Sequence, residues 1–411
     1  MPSDTLSNSS ERNIKKIPLQ QLKKGMYVLS IFTKNTDLRI KSEGYILKNA
    51  SIEQLKKSHV TDVEIDLSKT KKEESEEIIT RAIETAPAII EPNEPTVSLD
   101  NEMKKAKKLY NNAKVLQKKL LADITENKVI DTEAVQESTN AIVDSIFRNQ
   151  DALSCMSRLR IKDDYLVEHS LNVSILMTIF CKHLKIERNI MEQLALGAFL
   201  HDVGKVHVPD NILNKPGRFT DEEYQTMKQH VEFGVKILKE TPNISDIAMA
   251  VVSEHHERID GKGYPQQLSA DKISQYGRMI AIVDSYDAMT AERIYKAGMH
   301  PIKAFKILIN ESPNSYDNEL VEQFIQCLGV YPIGTLVKLT SGKIGLISQL
   351  NKNKPLQPFV RTFYNIRLKQ VVAMEEIDLS KPKYNDQIDS CIKPEEFNLD
   401  LMKFFKEAFI A

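Results

Sequence analysis

HHERIDGKGYP, running from His255 to Pro265, is the stretch on which the reading of this chain turns. Two adjacent imidazoles lead into a loop holding Gly261, Gly263 and Pro265, where glycine permits close backbone approach and proline limits freedom. Upstream, His201-Asp202 inside HDVGK adds a third imidazole and a carboxylate. Imidazole and carboxylate ligands without thiolate suit divalent iron, manganese or zinc, and such ions lower the pKa of a bound water. The combination points to a metal site acting on a phosphate, with that water as nucleophile. A single His-Asp dipeptide would say little; several separate pieces together say more.

Outward from this stretch, helical periodicity runs through Leu166–Leu184, Met191–Leu200, Glu222–Leu238 and Ile247–His255, broken by loops that contain proline and glycine. This predicts an all-α core. Of nine histidines, His169, His201, His230, His255 and His256 fall where several helices could bring them together, as bundle-core metal sites require. Asp202 and Asp284 could complete the set. A carboxylate bridging between histidines can hold two cations about 3.5–4 Å apart, a spacing suited to in-line phosphoryl displacement. His59, His183, His207 and His300 are assigned surface or structural roles.

Four segments then occur in a fixed order: HDVGK at His201–Lys205, PDNILNKPG at Pro209–Gly217, HHERIDGKGYP, and DSYDAMTAERIYK at Asp284–Lys296. With them, the region of roughly Asp151–Tyr331 resembles an HD-GYP domain, the branch of the HD phosphohydrolase superfamily that hydrolyses cyclic dinucleotides. The resemblance implies two divalent metals, iron or manganese. His169, His201, Asp202 and Asp284 would bind one, and Asp202, His230, His255 and His256 the other, with Asp202 bridging. Asp202 and Lys205 are then the expected catalytic groups, Lys205 stabilising the charged phosphate or the leaving oxygen. Arg293 and Lys296 match positions that hold the nucleotide's phosphates, and Gly263, Tyr264 and Pro265 shape the substrate loop, with Tyr264 beneath it or against substrate. Arg258 and Asp260 are expected to brace that loop as an ion pair. Tyr165 stands where some trinuclear relatives carry a glutamate, four residues before His169, and Glu168 would point elsewhere on the helix, so two metals are expected.

The implied reaction is hydrolysis of a 3′,5′ phosphodiester in cyclic di-GMP to linear pGpG, with GMP as a further product, ending a bacterial second-messenger signal. A 3′,3′-cyclic GMP-AMP phosphodiesterase is the close alternative, since a metal centre cannot itself choose guanine over adenine. A non-catalytic cyclic-dinucleotide receptor need not keep every ligand, and a general HD nucleotidase need not keep the GYP segment. Both classes are disfavoured.

The flanks read differently. A polar tail (1–16) precedes a small α+β module (17–70) with β-rich runs at Met26–Leu29 and Val63–Asp66 and a helix at Ser51–Lys57 between them. Its LKKGMYV segment, Leu22–Val28, resembles the small regulatory module often attached to HD-GYP domains. Residues 71–98, with Pro87, Pro92 and Pro95, form a linker, and 99–150 a helical connector on which Met103, Ala106, Ala113, Leu116 and Leu120 share a face. That face suits either a homodimer or packing within the chain. Lys104, Lys105, Lys107 and Lys108 are read as its solvated side. After the catalytic domain (151–331), a β-rich extension (332–411) carries strands at Thr335–Leu339, Ile344–Leu350 and Val371–Met374 and a terminal helix at Leu399–Phe409. EIDLSK, at Glu64–Lys69 and Glu376–Lys381, is read as two similar strand ends. The whole is a multidomain, mainly α chain.

At 411 residues, two or three domains are expected. Lys+Arg 56 against Asp+Glu 57 leaves a net charge of -1, which lends no support to binding polymeric nucleic acid or a membrane surface. No segment approaches the about 20 apolar residues of a membrane span, so no membrane insertion is expected. Cys155, Cys181, Cys327 and Cys391 form no CxxC pair and read as reduced thiols of a cytoplasmic protein.

Overall fold

Apolar residues at helical spacing account for the first long element, α1 (Leu99–Thr125), which buries Met103, Ala106, Tyr110, Ala113, Leu120 and Ile124 along one stripe. Lys104, Lys105 and Lys108 lie exposed on the other side. In the computed structural model the described residues are 14–19, 22, 26–33, 36–46, 52, 55–58, 60–66, 79, 95–158, 165–292, 298–312, 314–351, 353–397, 399 and 404. The chain divides into two compact units, Met1–Ile78 and Ile79–Ala411.

The helical stretch expected over Leu99–Ile146 is a hairpin. Asn127 takes a left-handed backbone (φ 55°) after α1, and Asp131 starts α2 (Thr132–Met156) by accepting from the Ala134 N–H at 3.1 Å. Buried Glu102 of α1 locks the two helices together: it accepts from Arg148 Nε at 2.8 Å, Arg148 Nη2 at 2.7 Å and Ser145 Oγ at 2.9 Å. Arg148 keeps 35 % of its side chain exposed, so its loss should cost less than the about 3–5 kcal/mol of a fully buried pair. α2 continues through residues 150 and 151, bent at Asn149.

The second unit is built around α3 (Tyr165–His183), where Leu171, Val173, Ile175, Met177, Ile179 and Phe180 are all buried. A helix apolar around its circumference belongs in the middle of a core. It packs against α1, α2, α4 (Arg188–Leu200) and the later α9 (Gln275–Thr290). A 3-10 turn (Val203–His207) and the short α5 (Asp210–Leu213) lead to α6 (Asp221–Lys228), α7 (His230–Lys239) and α8 (Asp246–Glu254). α10 (Pro301–Glu311) and α11 (Asn318–Leu328) complete the helices.

The single helix expected over Glu222–Leu238 is broken at Gln229. There the backbone tightens, the Gln229 N–H reaching Thr226 O at 3.2 Å, while His230 Nδ1 bonds Met227 O at 2.6 Å. The break aims the His230 ring inward.

In the first unit, β1 (Ile14–Pro18), β2 (Tyr27–Thr33), β3 (Thr36–Tyr45) and β4 (Val60–Asp66) form an antiparallel sheet of order β1-β4-β2-β3. Ile17, Val28, Val63 and Ile65 are buried on it, and positions 52 and 55–57 are helical. At the far end of the second unit lies a five-stranded antiparallel sheet of order β8-β7-β6-β5-β9: β5 (Leu336–Leu339), β6 (Lys343–Gln349), β7 (Phe359–Asn365), β8 (Gln370–Asp378) and β9 (Ile388–Cys391). The described part of the first EIDLSK copy, Glu64–Asp66, ends β4, and Glu376–Asp378 of the second ends β8. The expected terminal helix lies outside the described residues except for Leu399, which is not helical, and Phe404, which is helical and stacks on Phe363 at 4.4 Å.

Candidate metal centre

Five histidines and two aspartates converge from α3, the end of α4, the start of α7, the end of α8 and α9. Two groups have ligand atoms close enough to share a cation: His169, His201 and Asp202 in one, His230, His255 and His256 in the other. Asp202 lies between them. Its Oδ2 faces His201 Nε2 at 3.4 Å and His169 Nε2 at 3.6 Å, and its Oδ1 faces His230 Nε2 at 3.4 Å and His255 Nε2 at 3.9 Å. Asp284 also spans the groups, with Oδ1 2.9 Å from His169 Nε2 and Oδ2 3.8 Å from His256 Nδ1.

The ring orientations have a common cause. His201, His230 and His255 each bond through Nδ1 to the carbonyl three residues earlier, Ala198 at 2.8 Å, Met227 at 2.6 Å and Val252 at 2.7 Å. The proton is thereby assigned to Nδ1, and Nε2 is left to present its lone pair inward. His169 uses a side chain instead, its Nδ1 bonding Asp287 Oδ2 at 2.8 Å. Asp287 is fully buried and was not singled out from the sequence. Its signal was its place three residues after Asp284, on the same helical face.

Burial lowers His230 to about 4, helped by the Lys205 charge, and lowers His256 to about 3. It also pushes His255 well below its usual range, with His256 adding to the effect. These three are neutral at physiological pH, the form that ligates metal. For His169 burial acts in the same direction, but the bonds to Asp284 and Asp287 prevail and raise it to about 9. Burial opposes ionisation of Asp202, yet His201 and Lys205 hold it well below the usual carboxylate range; His169 does the same for Asp284.

A cation suits this donor set. Among the described residues, His201 Nε2 and Asp202 Oδ1 are buried with no hydrogen-bond partner, and both point into the cluster. Each such orphan costs about 1–3 kcal/mol, which coordination would remove. The donors are imidazole and carboxylate only, with no thiolate.

Lys205, its side chain 16 % exposed, donates from Nζ to Asp202 Oδ2. Close packing keeps it there: a Cβ on Gly204 would lie 1.9 Å from His230 O and 2.4 Å from Gly234 N, so only glycine lets the 3-10 turn seat on α7. The loop after the paired histidines is closed by buried Glu257, which accepts from Gln266 N at 2.7 Å and Leu268 N at 3.0 Å. Arg258 pairs with Asp260 through Nε at 3.1 Å and Nη2 at 2.8 Å, the brace expected. Gly261 has φ 72°, and a Cβ on Gly263 would meet Arg258 N at 2.4 Å. Tyr264, joined to Pro265 by a cis peptide, lays its ring on His256 at 4.6 Å. Arg293 and Lys296 lie outside the described residues. His183 bonds Gln323 at 3.0 Å and His207 packs edge-on against Phe233, both away from the cluster. His59 lies outside the described residues.

A helical core converging these histidines on an HD dyad is the arrangement of the HD phosphohydrolase class, and a family model described as HD domain matches residues 152–320. A second, described as a domain of unknown function (DUF3391), matches 14–135. The chain is 33 % identical over 379 residues to cyclic di-GMP phosphodiesterase PA4108 of Pseudomonas aeruginosa, with 91 % of each chain covered. It belongs to the HD-GYP family. Two Vibrio cholerae proteins match shorter stretches. A cyclic di-GMP phosphodiesterase is 40 % identical over 141 residues, 33 % of this chain and 29 % of that one. A 3′3′-cGAMP-specific phosphodiesterase 2 is 39 % identical over 128 residues, 31 % of this chain and 24 % of that one.

Proposed function

We propose that this chain hydrolyses a 3′,5′ phosphodiester of cyclic di-GMP, giving linear pGpG, and that two divalent cations, iron or manganese, serve the reaction. The carrying observation is Asp202, whose two oxygens face separate histidine groups and whose Oδ1 has no hydrogen-bond partner. His169, His201, Asp202 and Asp284 would hold one cation, and Asp202, His230, His255 and His256 the other. Cations held there supply Lewis-acid polarisation of the phosphodiester and an acidified water.

The chain's own groups do the rest. Main-chain carbonyls and Asp287 fix the imidazole orientations. The Lys205 ammonium, tethered to Asp202, would stabilise charge on the phosphate or on the departing 3′ oxygen. Water forms the new P–O bond, the P–O3′ bond breaks and the 3′ oxygen takes up a proton. Gly263, Tyr264 and Pro265 shape the rim for substrate, and Arg293 and Lys296 are assigned to its phosphates on the motif Asp284–Lys296 alone. We assign 151–331 to catalysis, 17–70 to regulation and 332–411 to a β-rich extension, in a cytoplasmic protein. The similarity to PA4108 along 91 % of both chains supports cyclic di-GMP over cyclic GMP-AMP.

The test is an anaerobic product assay on metal-loaded protein with cyclic di-GMP and 3′,3′-cyclic GMP-AMP competing. Preferential pGpG formation is expected. Preferential cleavage of cyclic GMP-AMP would overturn the substrate assignment, and no cleavage of either would overturn the reaction.

A further inference from the structure

Beside the histidine cluster stands a group of side chains that the metal chemistry does not use. Tyr224 of α6 is 45 % exposed, one of the few large apolar-bodied residues of the described chain left open to solvent. Its ring sits 6.2 Å from that of Tyr264, at 82°. Tyr264 in turn lies on His256 at 4.6 Å and near His230 at 6.3 Å. Lys228, one turn beyond Tyr224 on the same face of α6, holds its ammonium 5.1 Å from the Tyr224 centroid and 5.8 Å from that of Tyr264. A solvent-exposed tyrosine ring, with an ammonium over one of its faces, thus adjoins the histidine cluster on the side of the GYP loop.

We propose that Tyr224 and Lys228 form the base-recognition platform for the substrate, Tyr224 stacking on a purine and Lys228 countering the adjoining phosphate. The inference rests on the phosphodiesterase reading, because it assumes a nucleotide held at the cluster. The chemistry fits that ligand. A tyrosine face stacks on any purine, a cation alongside strengthens the contact, and neither group need take part in bond breaking. Lys228 holds its ammonium over both rings, so its charge sits beside any ligand stacked on Tyr224. The Thr220 capping box, with Thr220 Oγ1 accepting from Glu223 N and Glu223 accepting from Thr220 N, anchors the start of α6 and so the position of Tyr224.

The absence of tryptophan from the sequence provides a direct probe. Tyr224→Trp keeps a stacking face and introduces the sole tryptophan, which can be excited apart from the tyrosines. Titration with a non-hydrolysable phosphorothioate analogue of cyclic di-GMP is expected to quench it, and ribose 5-phosphate, which lacks a base, is not. In steady-state assays Tyr224→Ala is expected to raise KM for cyclic di-GMP about tenfold with kcat unchanged. Tyr224→Phe should stay near wild type, and Lys228→Met should raise KM. Unchanged KM in Tyr224→Ala together with an unquenched Tyr224→Trp would overturn the platform, and continued cleavage by wild type would leave the phosphodiesterase reading intact. Failure of wild type to cleave either cyclic dinucleotide would instead overturn the reading beneath it.

Discussion

Asp287 gives the sharpest test of how the centre is assembled. His201, His230 and His255 are oriented by carbonyls of their own chain segments, which no substitution removes, whereas His169 is oriented by a side chain, Asp287 Oδ2 at 2.8 Å from Nδ1. Loss of such a partner weakens metal binding by about 10–100-fold, or about 1.4–2.7 kcal/mol. Asp287→Asn keeps an oxygen acceptor and loses only the charge, so it should sit near tenfold. Asp287→Ala removes the acceptor and should approach 100-fold. The assay is anaerobic competition between the protein and a chelator of known affinity, with iron or manganese, read as bound metal per chain. A thermal melt of each metal-free variant separates ligand misorientation from unfolding. A folded Asp287→Ala that keeps wild-type metal affinity would refute the claim that Asp287 orients His169.

Gly204→Ala should be among the costliest single-methyl changes in the chain, because the new Cβ would lie 1.9 Å from His230 O. A loss of about 3 kcal/mol or more in denaturant unfolding is expected, and a loss below about 1 kcal/mol would mean that the turn can shift off α7. Asp151 carries a pH signature: burial raises its carboxyl from 3.8 to about 6, against the pull of Lys182. The folded chain binds this proton more tightly than the unfolded chain, so stability is lost as pH rises from 3.8 through about 6 and stays lost above it. The loss is at most about 3 kcal/mol and is reduced by the partial exposure of the side chain. Asp151→Asn should therefore raise Tm at about pH 7.5 and leave it close to wild type at about pH 4. Equal effects at both pH values would reject the assignment.

The parts of the site that were legible in the sequence are those written as residue type and spacing. Helical periodicity placed His169, His201, His230 and His255 on or at the ends of helices, and the structure brings them together with Asp202, His256 and Asp284. Asp287 was passed over although it stands three residues after Asp284 on the same helical face, because its role rests on a bond to one ring nitrogen across 118 residues. The break at Gln229 coincides with His230 Nδ1 taking Met227 O, a local side-chain bond that competes with the helix and that apolar spacing does not register. Strands β1, β3, β7 and β9 were passed over for a related reason. IKKIP in β1 buries only Ile17, and FVRTFYN in β7 mixes charge with aromatics; each becomes a strand through its neighbours, β4 for one and β6 and β8 for the other. The extra chain beyond 331 read correctly as β-rich, because Ser-Gly and Asn-Lys turns separate its apolar runs.

The central claim is that Asp202 joins two metal-holding groups into one hydrolytic centre. The most direct measurement is product formation from cyclic di-GMP by the metal-loaded wild type beside Asp202→Asn, with bound metal counted in both. Wild type is expected to form pGpG, and the folded variant to bind less metal and turn over slower by orders of magnitude. Turnover near wild type by fully metallated Asp202→Asn, or no pGpG from the fully metallated wild type, would contradict it.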